Sequence, residues 1–253
     1  MFQIRQLNLG GILDQAIAVI KANIGLFLGI VLVTLVPLNL VAGFAQLLLV
    51  PGIESGDPRA VQENFGSFAL VMMGTGLLSL FLFPLANAAV IYAVAGTYLS
   101  RPMTLGQCMS HALKRWGAFI WTMIVMGFVV MFGFFLFIIP GIIFMFWYSL
   151  AQEVAVLEDV SGSKALSRSK ALMKGNVGTA FVLGLIVGVV NGSGNVVFNA
   201  IPQPHIKILG NALMSGVATI FGSAVLVVFY FSCRCKLENF DLMMLANAVA
   251  DEE

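Results

Sequence analysis

The sequence has little charge. Only 10% of its 253 residues are Asp, Glu, Lys or Arg, whereas 60% are hydrophobic. With a mean hydropathy of +0.99, this much apolar surface could not be hidden in a soluble domain of this size. Several apolar runs approach or exceed the ~20 residues that cross a bilayer. These features exclude a soluble protein and predict an integral membrane protein. We expect no removable signal peptide, since the first residues lack a charged segment followed by an apolar run and a cleavage site.

About six membrane-spanning helices are predicted, because lipid forces every backbone group to find a partner within the protein. The number depends on Pro140 and Gly141, which divide a long apolar stretch and which we predict to form a turn. Proline supplies no N–H, and glycine tolerates unusual dihedrals. The predicted fold class is an all-α integral membrane protein, with a single domain over residues 1–253. The apolar runs cover residues 24–50, 66–99, 116–139, 141–157, 177–198 and 208–233.

Lysine and arginine positions support the turn. With six spans, 11 of the 13 basic residues fall on the side of the N-terminus, and only Arg59 and Lys207 fall on the other side. With five spans the division becomes 6 to 7. Because basic residues stay on the cytoplasmic side, we predict a multi-pass protein of the cell (inner) membrane with both termini in the cytoplasm. A re-entrant hairpin over 116–157 gives the same sidedness as two full crossings, so charge leaves both open.

The basic segments also form a threefold repeat. Each precedes an apolar run, and the first and third end alike, in KANIG and KGNVG, while the middle one is the weakest copy. Their apolar residues follow the helical period, which predicts amphipathic helices in the headgroup layer with apolar residues towards the acyl chains. The predicted architecture is three units of cytoplasmic amphipathic helix plus transmembrane hairpin. The segments are 9–25, 104–117 and 161–178, the units are 1–99, 100–158 and 159–236, and a cytoplasmic tail covers 237–253.

Four stretches resemble a known family when taken together. In chain order they read LGGILDQAIAVIKANIGLFLGIVLVTLVP, IIPGIIFMFWYSLAQEVAVLED, SKALSRSKALMKGNVG and FYFSCRCKLENFDLMMLA. Their order and spacing resemble the membrane-domain family named after glycerophosphoryl diester phosphodiesterases, including its stand-alone bacterial and archaeal relatives of uncharacterised function. In full-length phosphodiesterases this region is fused to a catalytic barrel, for which 253 residues leave no room. The resemblance places family-motif positions at Glu158, Arg168, Arg234, Glu238 and Asp241.

The family's tail usually carries an acidic residue shortly before its first arginine, and here the sequence departs from the pattern. The corresponding neighbourhood reads Phe231-Ser232-Cys233. A role that depends on a carboxylate at that point is therefore not expected in this chain.

Histidine and cysteine are too sparse to predict an enzyme. A metal-dependent phosphodiesterase needs clustered His and carboxylate ligands, but the predicted topology puts His111 and His205 on opposite faces of the membrane. Cys233 and Cys235 have the wrong separation for a C-x-x-C redox pair. We therefore expect no catalytic residues, no metal site, no cofactor and no nucleic-acid partner. Turnover of glycerophosphodiesters by the purified chain would contradict the prediction of a non-enzymatic protein.

Glu153 falls within a predicted span, where an ionisable residue is a functional hypothesis by default because it is costly to keep there. It lies near the cytoplasmic end of that span, so we favour an interfacial glutamate paired with the basic helix that follows. That helix carries Lys164, Arg168, Lys170 and Lys174. They are candidate contacts for anionic headgroups, at roughly 1 kcal/mol each, or ordinary positive-inside anchors.

A polar stripe recurs every four residues on the last two spans. It comprises Asn191 and Asn195 on one span and Asn211, Ser215 and Thr219 on the next. Amide side chains hydrogen-bond across membrane helices for roughly 0.6–2 kcal/mol, and no charge accompanies the asparagines. We therefore favour interhelical packing, with a hydrophilic path for a solute as the alternative.

The functional prediction is a non-enzymatic polytopic membrane protein, acting as a lipid-contacting scaffold or as an accessory subunit of a membrane assembly. Its expected partners are membrane lipids and either other membrane-protein subunits or further copies of itself. The alternative is a small transporter or channel with a polar path along Asn191, Asn195, Ser215 and Thr219.

Overall fold

The computed structural model describes residues 2, 4–52, 58–201 and 203–243, without the side chains at 58, 60, 195 and 199. Of the predicted tail, residues 244–253 therefore lie outside the description. Over these ranges the chain forms ten α-helices and no β-strand. The helices are α1 Leu9–Ala22, α2 Ile24–Leu49, α3 Pro58–Glu63, α4 Phe65–Tyr98, α5 Leu105–Leu136, α6 Ile138–Trp147, α7 Ala151–Leu157, α8 Ser163–Leu172, α9 Val177–Asn199 and α10 Pro204–Glu238.

Six stretches of the described chain are long and apolar enough to cross a membrane: α2, α4, α5, the pair α6–α7, α9 and α10. They fall on the six predicted apolar runs. The predicted fold class is confirmed at this level, as an all-α membrane protein with six candidate spans.

The centre of the bundle is formed by α10 and α4. In their most apolar windows, 61% of α10 and 50% of α4 are buried, against 17% of α5 and 12% of α9. Small residues account for the close packing of α4, since they let helix backbones approach. Ala86, Ala88, Ala89 and Ala93 are all fully buried. Helices α1, α2 and α9 pack against α10, and α5 packs against α4.

The chain reverses between α5 and α6 at Phe137, so the predicted turn at Pro140 and Gly141 was wrong by three residues. Phe137 has extended backbone, with φ −161° and ψ 156°. Pro140 lies in the first turn of α6, where a helix does not use the missing N–H. The amide of Gly141 donates to Phe137 O at 3.3 Å. A Cβ on Gly141 would overlap the ring of Phe134, so this glycine permits close packing of the hairpin.

The middle repeat differs from the other two. Residues 104–117 form no separate amphipathic helix but lie in the first half of α5, which begins with a capping box between Thr104 and Gln107. A capping box satisfies two otherwise unpaired backbone donors and favours a helix start at this point. In contrast, α1 and α8 are separate helices, each followed by a long apolar helix.

Both ends of the described chain lie at the same end of the bundle. The N–H of Leu7 donates to Ser232 Oγ at 2.9 Å, and α1 packs along α10. Lys236 Nζ donates to Asn176 Oδ1, just before α9, at 2.7 Å. We call this the basic end; it comprises α1, the last turns of α4 and α10, the first half of α5, α7 and α8. At the opposite end the ring of Phe44 stacks on His205, with centroids 5.9 Å apart.

Candidate functional site

Four of the predicted family-motif residues meet at the basic end. Arg168 of α8 donates from Nε to both carboxylate oxygens of Glu158, at 3.1 and 2.9 Å. Its Nη1 also contacts Glu238 Oε1. Arg234 donates from Nε to the other oxygen of Glu238 at 3.0 Å. These contacts join the end of α7 to α8 and to the last turn of α10, and we call them the ion-pair network.

Tyr230 belongs to the same network. Its hydroxyl donates to Glu158 Oε1 at 2.8 Å and accepts from Arg234 Nη1 at 3.3 Å. On the other side, the guanidinium of Arg234 lies 4.1 Å from the ring centroid of Phe240, a cation–π geometry. The aromatic rings thus cover the charged groups on two sides. The sequence analysis missed Tyr230, because its position within an apolar run suggested an ordinary hydrophobic residue of that span.

The network is only partly open to water. The side chains of Glu158, Arg168 and Glu238 are 19%, 29% and 25% exposed, so their charge-assisted bonds are screened less than surface pairs. The hydrogen bond to Glu238, together with the one to Glu158, raises the pKa of Arg168 above its ordinary value. Arg168 is therefore a permanent cation shared by two carboxylates. The predicted motif residue Asp241 lies in the helical turn after α10 and forms no ion pair among the residues that the structure describes.

Two side chains of α5 cap the C-terminal end of α7, next to the ion-pair network. Arg115 donates from Nε and Nη2 to Ala155 O, at 3.2 and 2.9 Å, and also to Glu158 O. One turn earlier, His111 Nε2 donates to Val156 O at 3.1 Å. The last carbonyls of a helix have no intrahelical donor, so these side chains satisfy groups that would otherwise lack a partner. His111 thus lies within α5 and caps the end of α7.

The fourth span is interrupted between Trp147 and Ala151, where α6 ends and α7 begins. A single side chain from α8 satisfies the backbone at this break. The fully buried hydroxyl of Ser169 donates to Trp147 O at 2.9 Å and accepts from Leu150 N–H at 3.2 Å. Helix α8 is thereby fixed against the interruption, and we call this contact the Ser169 clamp.

The cations of α8 and of the turn after it have two roles. Arg168 points into the ion-pair network, while Lys164, Lys170 and Lys174 are exposed. Lys170 also lies over the ring of Trp147, with Nζ 4.1 Å from the centroid. The predicted apolar face of Ala165, Leu166, Leu172 and Met173 is at most 4% exposed. This face packs against protein rather than entering the acyl chains, because the Ser169 clamp and the ion pairs hold α8 onto the bundle.

A second polar feature lies in the middle of the bundle, between α4, α7, α9 and α10. It is a cavity of about 360 Å³, which we call the Glu153 cavity. Glu153 lines it and is only 2% exposed, and its Oε2 has no hydrogen-bond partner among the described residues. The expectation of an interfacial Glu153 paired with the basic helix was wrong. Glu158, one turn later, holds that position.

Most of the predicted polar stripe contributes to this cavity. Asn191, Asn211, Ser215 and Thr219 all line it. One interhelical bond accompanies them, from Asn39 Nδ2 of α2 to Ser215 Oγ at 3.1 Å. The side chain of Asn195 lies outside the described residues. The sequence analysis missed the lining residue Asn87, for which a polar residue within an apolar run was the available signal. Gln152, next to Glu153, lines the cavity as well.

Two clefts adjoin the cavity. One, of about 640 Å³, lies between α2, α4 and α10 and shares Ser215 and Thr219 with the cavity. The other, of about 430 Å³, shares Asn211 with it and extends to Lys207 at the opposite end of the bundle. Polar lining therefore continues from Lys207 through the middle of the bundle to Glu153.

The family described as a domain of unknown function, DUF8558, matches residues 116–251, which is more than half of the chain. The chain therefore belongs to this family. No curated protein and no solved structure matches it significantly. The matched region begins at Trp116 within α5, continues through α10 and contains both the ion-pair network and Glu153.

Proposed function

We propose that this chain is a non-enzymatic multi-pass membrane protein, acting as a lipid-contacting scaffold or as an accessory subunit of a membrane assembly. The unburied surface of two spans supports this most directly. Only 17% of the apolar window of α5 and 12% of that of α9 are buried within the chain. Large side chains such as Phe128, Phe135 and Val189 are at least 64% exposed there, so lipid or other membrane helices must cover them.

The proposed orientation places the basic end in the cytoplasm of a cell (inner) membrane, with both termini there. The 11-to-2 distribution of basic residues supports it. Reporter fusions test it: a periplasmic-type reporter should be active after the loop near Arg59 and inactive after residue 243. Activity after residue 243 would contradict the orientation.

The proposed architecture is the threefold repeat of amphipathic helix plus hairpin, shared with the membrane domains of glycerophosphoryl diester phosphodiesterases. Separate helices α1 and α8 support two of the units, and in the middle unit the amphipathic segment is fused to α5. Four residues proposed as family-motif positions lie within one network of contacts, as a motif with a common structural role would require. Replacement of any of the four should then destabilise the protein, and Arg168, which pairs with two carboxylates, should have the largest effect.

Purification from native membranes in a gentle detergent tests the scaffold role, with co-purifying lipids and proteins identified by mass spectrometry. We expect enrichment of anionic lipid and at least one membrane-protein partner or a defined oligomer. Lys164→Gln with Lys174→Gln should reduce the anionic lipid, since each lysine near the surface contributes roughly 1 kcal/mol. The control is Lys207→Gln at the opposite end. A monomer with bulk lipid composition and no partner would refute the proposal.

A second candidate function is a small transporter or channel, and one observation favours it. Asn191, Ser215 and Thr219 line one polar cavity with Glu153. Replacement of Asn191 and Asn195 together by leucine separates the two functions. Loss of solute flux with assembly intact would support transport, and loss of assembly without a change in flux would support packing.

A further inference from the structure

The Glu153 cavity has the properties of a ligand site. Two of its lining residues carry buried oxygens without a hydrogen-bond partner in the described part of the chain, namely Oε2 of Glu153 and Oδ1 of Asn211. Buried polar groups are almost always hydrogen-bonded, and exceptions need an explanation. A ligand that donates to both oxygens would satisfy these two acceptors at once.

Two hydroxyl groups of the cavity also present acceptors. Ser215 donates its hydroxyl hydrogen to Ala212 O at 2.9 Å, and Thr219 donates its own to Ser215 O at 2.8 Å. Because a hydroxyl has one donor and two acceptor lone pairs, both oxygens can still accept from a ligand.

The charges of the lining residues also favour a positively charged ligand. Among the described residues that line the cavity there is no Lys, Arg or His, and Arg168 of the ion-pair network is already shared by Glu158 and Glu238. A carboxylate held in a membrane span without a cationic partner is costly. A bound cation would remove that cost, whereas an anion would increase it.

We propose that the Glu153 cavity binds a small organic ammonium ion, whose N–H groups donate to Glu153 and Asn211. A primary ammonium group carries three donors and a positive charge, which matches the unpaired acceptors and the carboxylate. Phe83, Ile91 and Leu226 supply an apolar wall for a short hydrocarbon chain. The volume of about 360 Å³ lies at the small end of ligand pockets.

This site is independent of the scaffold role, since it requires neither flux nor a protein partner. Its test is equilibrium binding of radiolabelled n-butylammonium to the purified full chain in nanodiscs of neutral phosphatidylcholine, which avoids binding of amines to anionic lipid. We expect saturable binding that excess 1-butanol does not displace and that tetramethylammonium, which has no N–H, displaces poorly. No saturable binding, or equal displacement by 1-butanol, would overturn the proposal.

Substitutions locate the site. Glu153→Gln should weaken binding roughly 10-fold to 100-fold, the range for loss of a hydrogen bond to a charged group. Asn211→Ala should weaken it less, and Glu63→Gln, at an exposed glutamate in α3, should leave it unchanged. Equal affinities for Glu153→Gln and the wild type would contradict the assignment.

A measurement on the wild-type chain covers the case in which Glu153→Gln does not fold. A hydrophobic carbodiimide adds to carboxyl groups in apolar surroundings, and mass spectrometry locates the modified peptide. We expect modification at Glu153 that n-butylammonium prevents and 1-butanol does not. Modification unaffected by n-butylammonium would overturn the proposal, while the lipid and partner analysis of the scaffold role would be unaffected.

Discussion

The two ends of the bundle are held together by different forces. At the basic end, α5, α7, α8 and α10 are joined by ion pairs and by hydrogen bonds from Arg115, Arg168 and Ser169. Towards the opposite end, the same bundle opens around a cavity and two clefts. Contacts there include a neutral bond between Asn39 and Ser215 and a ring stack between Phe44 and His205.

The cost of charge in lipid explains this difference. An ionised side chain at the centre of a bilayer is expensive, so ionic ties are confined to the ends of spans, where water or headgroups are near. Neutral polar contacts between membrane helices contribute only about 0.6 kcal/mol on average. The basic end therefore fixes how the helices are arranged, and the remainder of the bundle has space for a ligand.

Arg168→Ala is expected to lower the stability of the protein more than any of the other substitutions below. Without this guanidinium, the carboxylates of Glu158 and Glu238 lose their shared cation, and we expect a loss of roughly 3 kcal/mol of unfolding free energy. The measurement is thermal unfolding in a mild detergent. Lys170→Ala on the exposed side of the same helix is the control and should have a much smaller effect. Equal effects would show that the network does not stabilise the basic end.

Arg115→Gln is expected to cause the second-largest loss of stability, because the carbonyls of Ala155 and Glu158 lose a charged donor. We expect a loss of about 2 kcal/mol and faster amide hydrogen exchange in α7. The adjacent exposed residue gives the control, Lys114→Gln. Unchanged exchange in α7 would mean that Arg115 does not cap this helix.

Ser169→Ala removes the Ser169 clamp at the break between α6 and α7. The part-buried Trp147 carbonyl and the buried Leu150 amide then lose a partner, for an expected loss of about 1–2 kcal/mol. Ser167→Ala, at an exposed serine two residues earlier, removes the same hydroxyl without the clamp. The two variants should differ in thermal unfolding, and identical midpoints would contradict the role of the clamp.

The smallest contribution to stability is expected from the neutral hydrogen bond between Asn39 and Ser215, away from the basic end. A double-mutant cycle of Asn39→Ala and Ser215→Ala should give a coupling of about 0.6 kcal/mol, as is usual for neutral pairs between membrane helices. Ser193→Ala, at an exposed serine that bonds its own helix, serves as the control. A coupling as large as the effect of Arg168→Ala would remove the distinction between the two regions.

The sequence predicted the spans well because length and hydropathy depend on local composition. It also singled out Glu158, Arg168, Arg234 and Glu238, but only as separate motif positions. Their convergence depends on how α7, α8 and α10 pack, and no local pattern encodes that. Tyr230 was missed because a tyrosine within an apolar run cannot be distinguished by sequence from a residue of the hydrophobic core.

Glu153 was assigned to the wrong surroundings for a different reason. The prediction rested on its position near the cytoplasmic end of the span, and position along a span does not say which neighbours a side chain faces. In the structure Glu153 faces a cavity that residues of α4, α9 and α10 also line. The turn at Pro140 was misplaced because proline fits the first turn of a helix as well as a loop.

The length of α10 has a consequence for where the ion-pair network lies. Its 35 residues measure about 52 Å at 1.5 Å per residue, whereas the hydrocarbon layer is about 30 Å thick. Even at a tilt of about 40°, roughly 10 Å of this helix stands clear of the acyl chains. The apolar run of this helix ends at residue 233, so its last turns, which carry Arg234 and Glu238, are part of that length. Water can reach their amides, so slow hydrogen exchange there would report the closed network rather than depth in the bilayer.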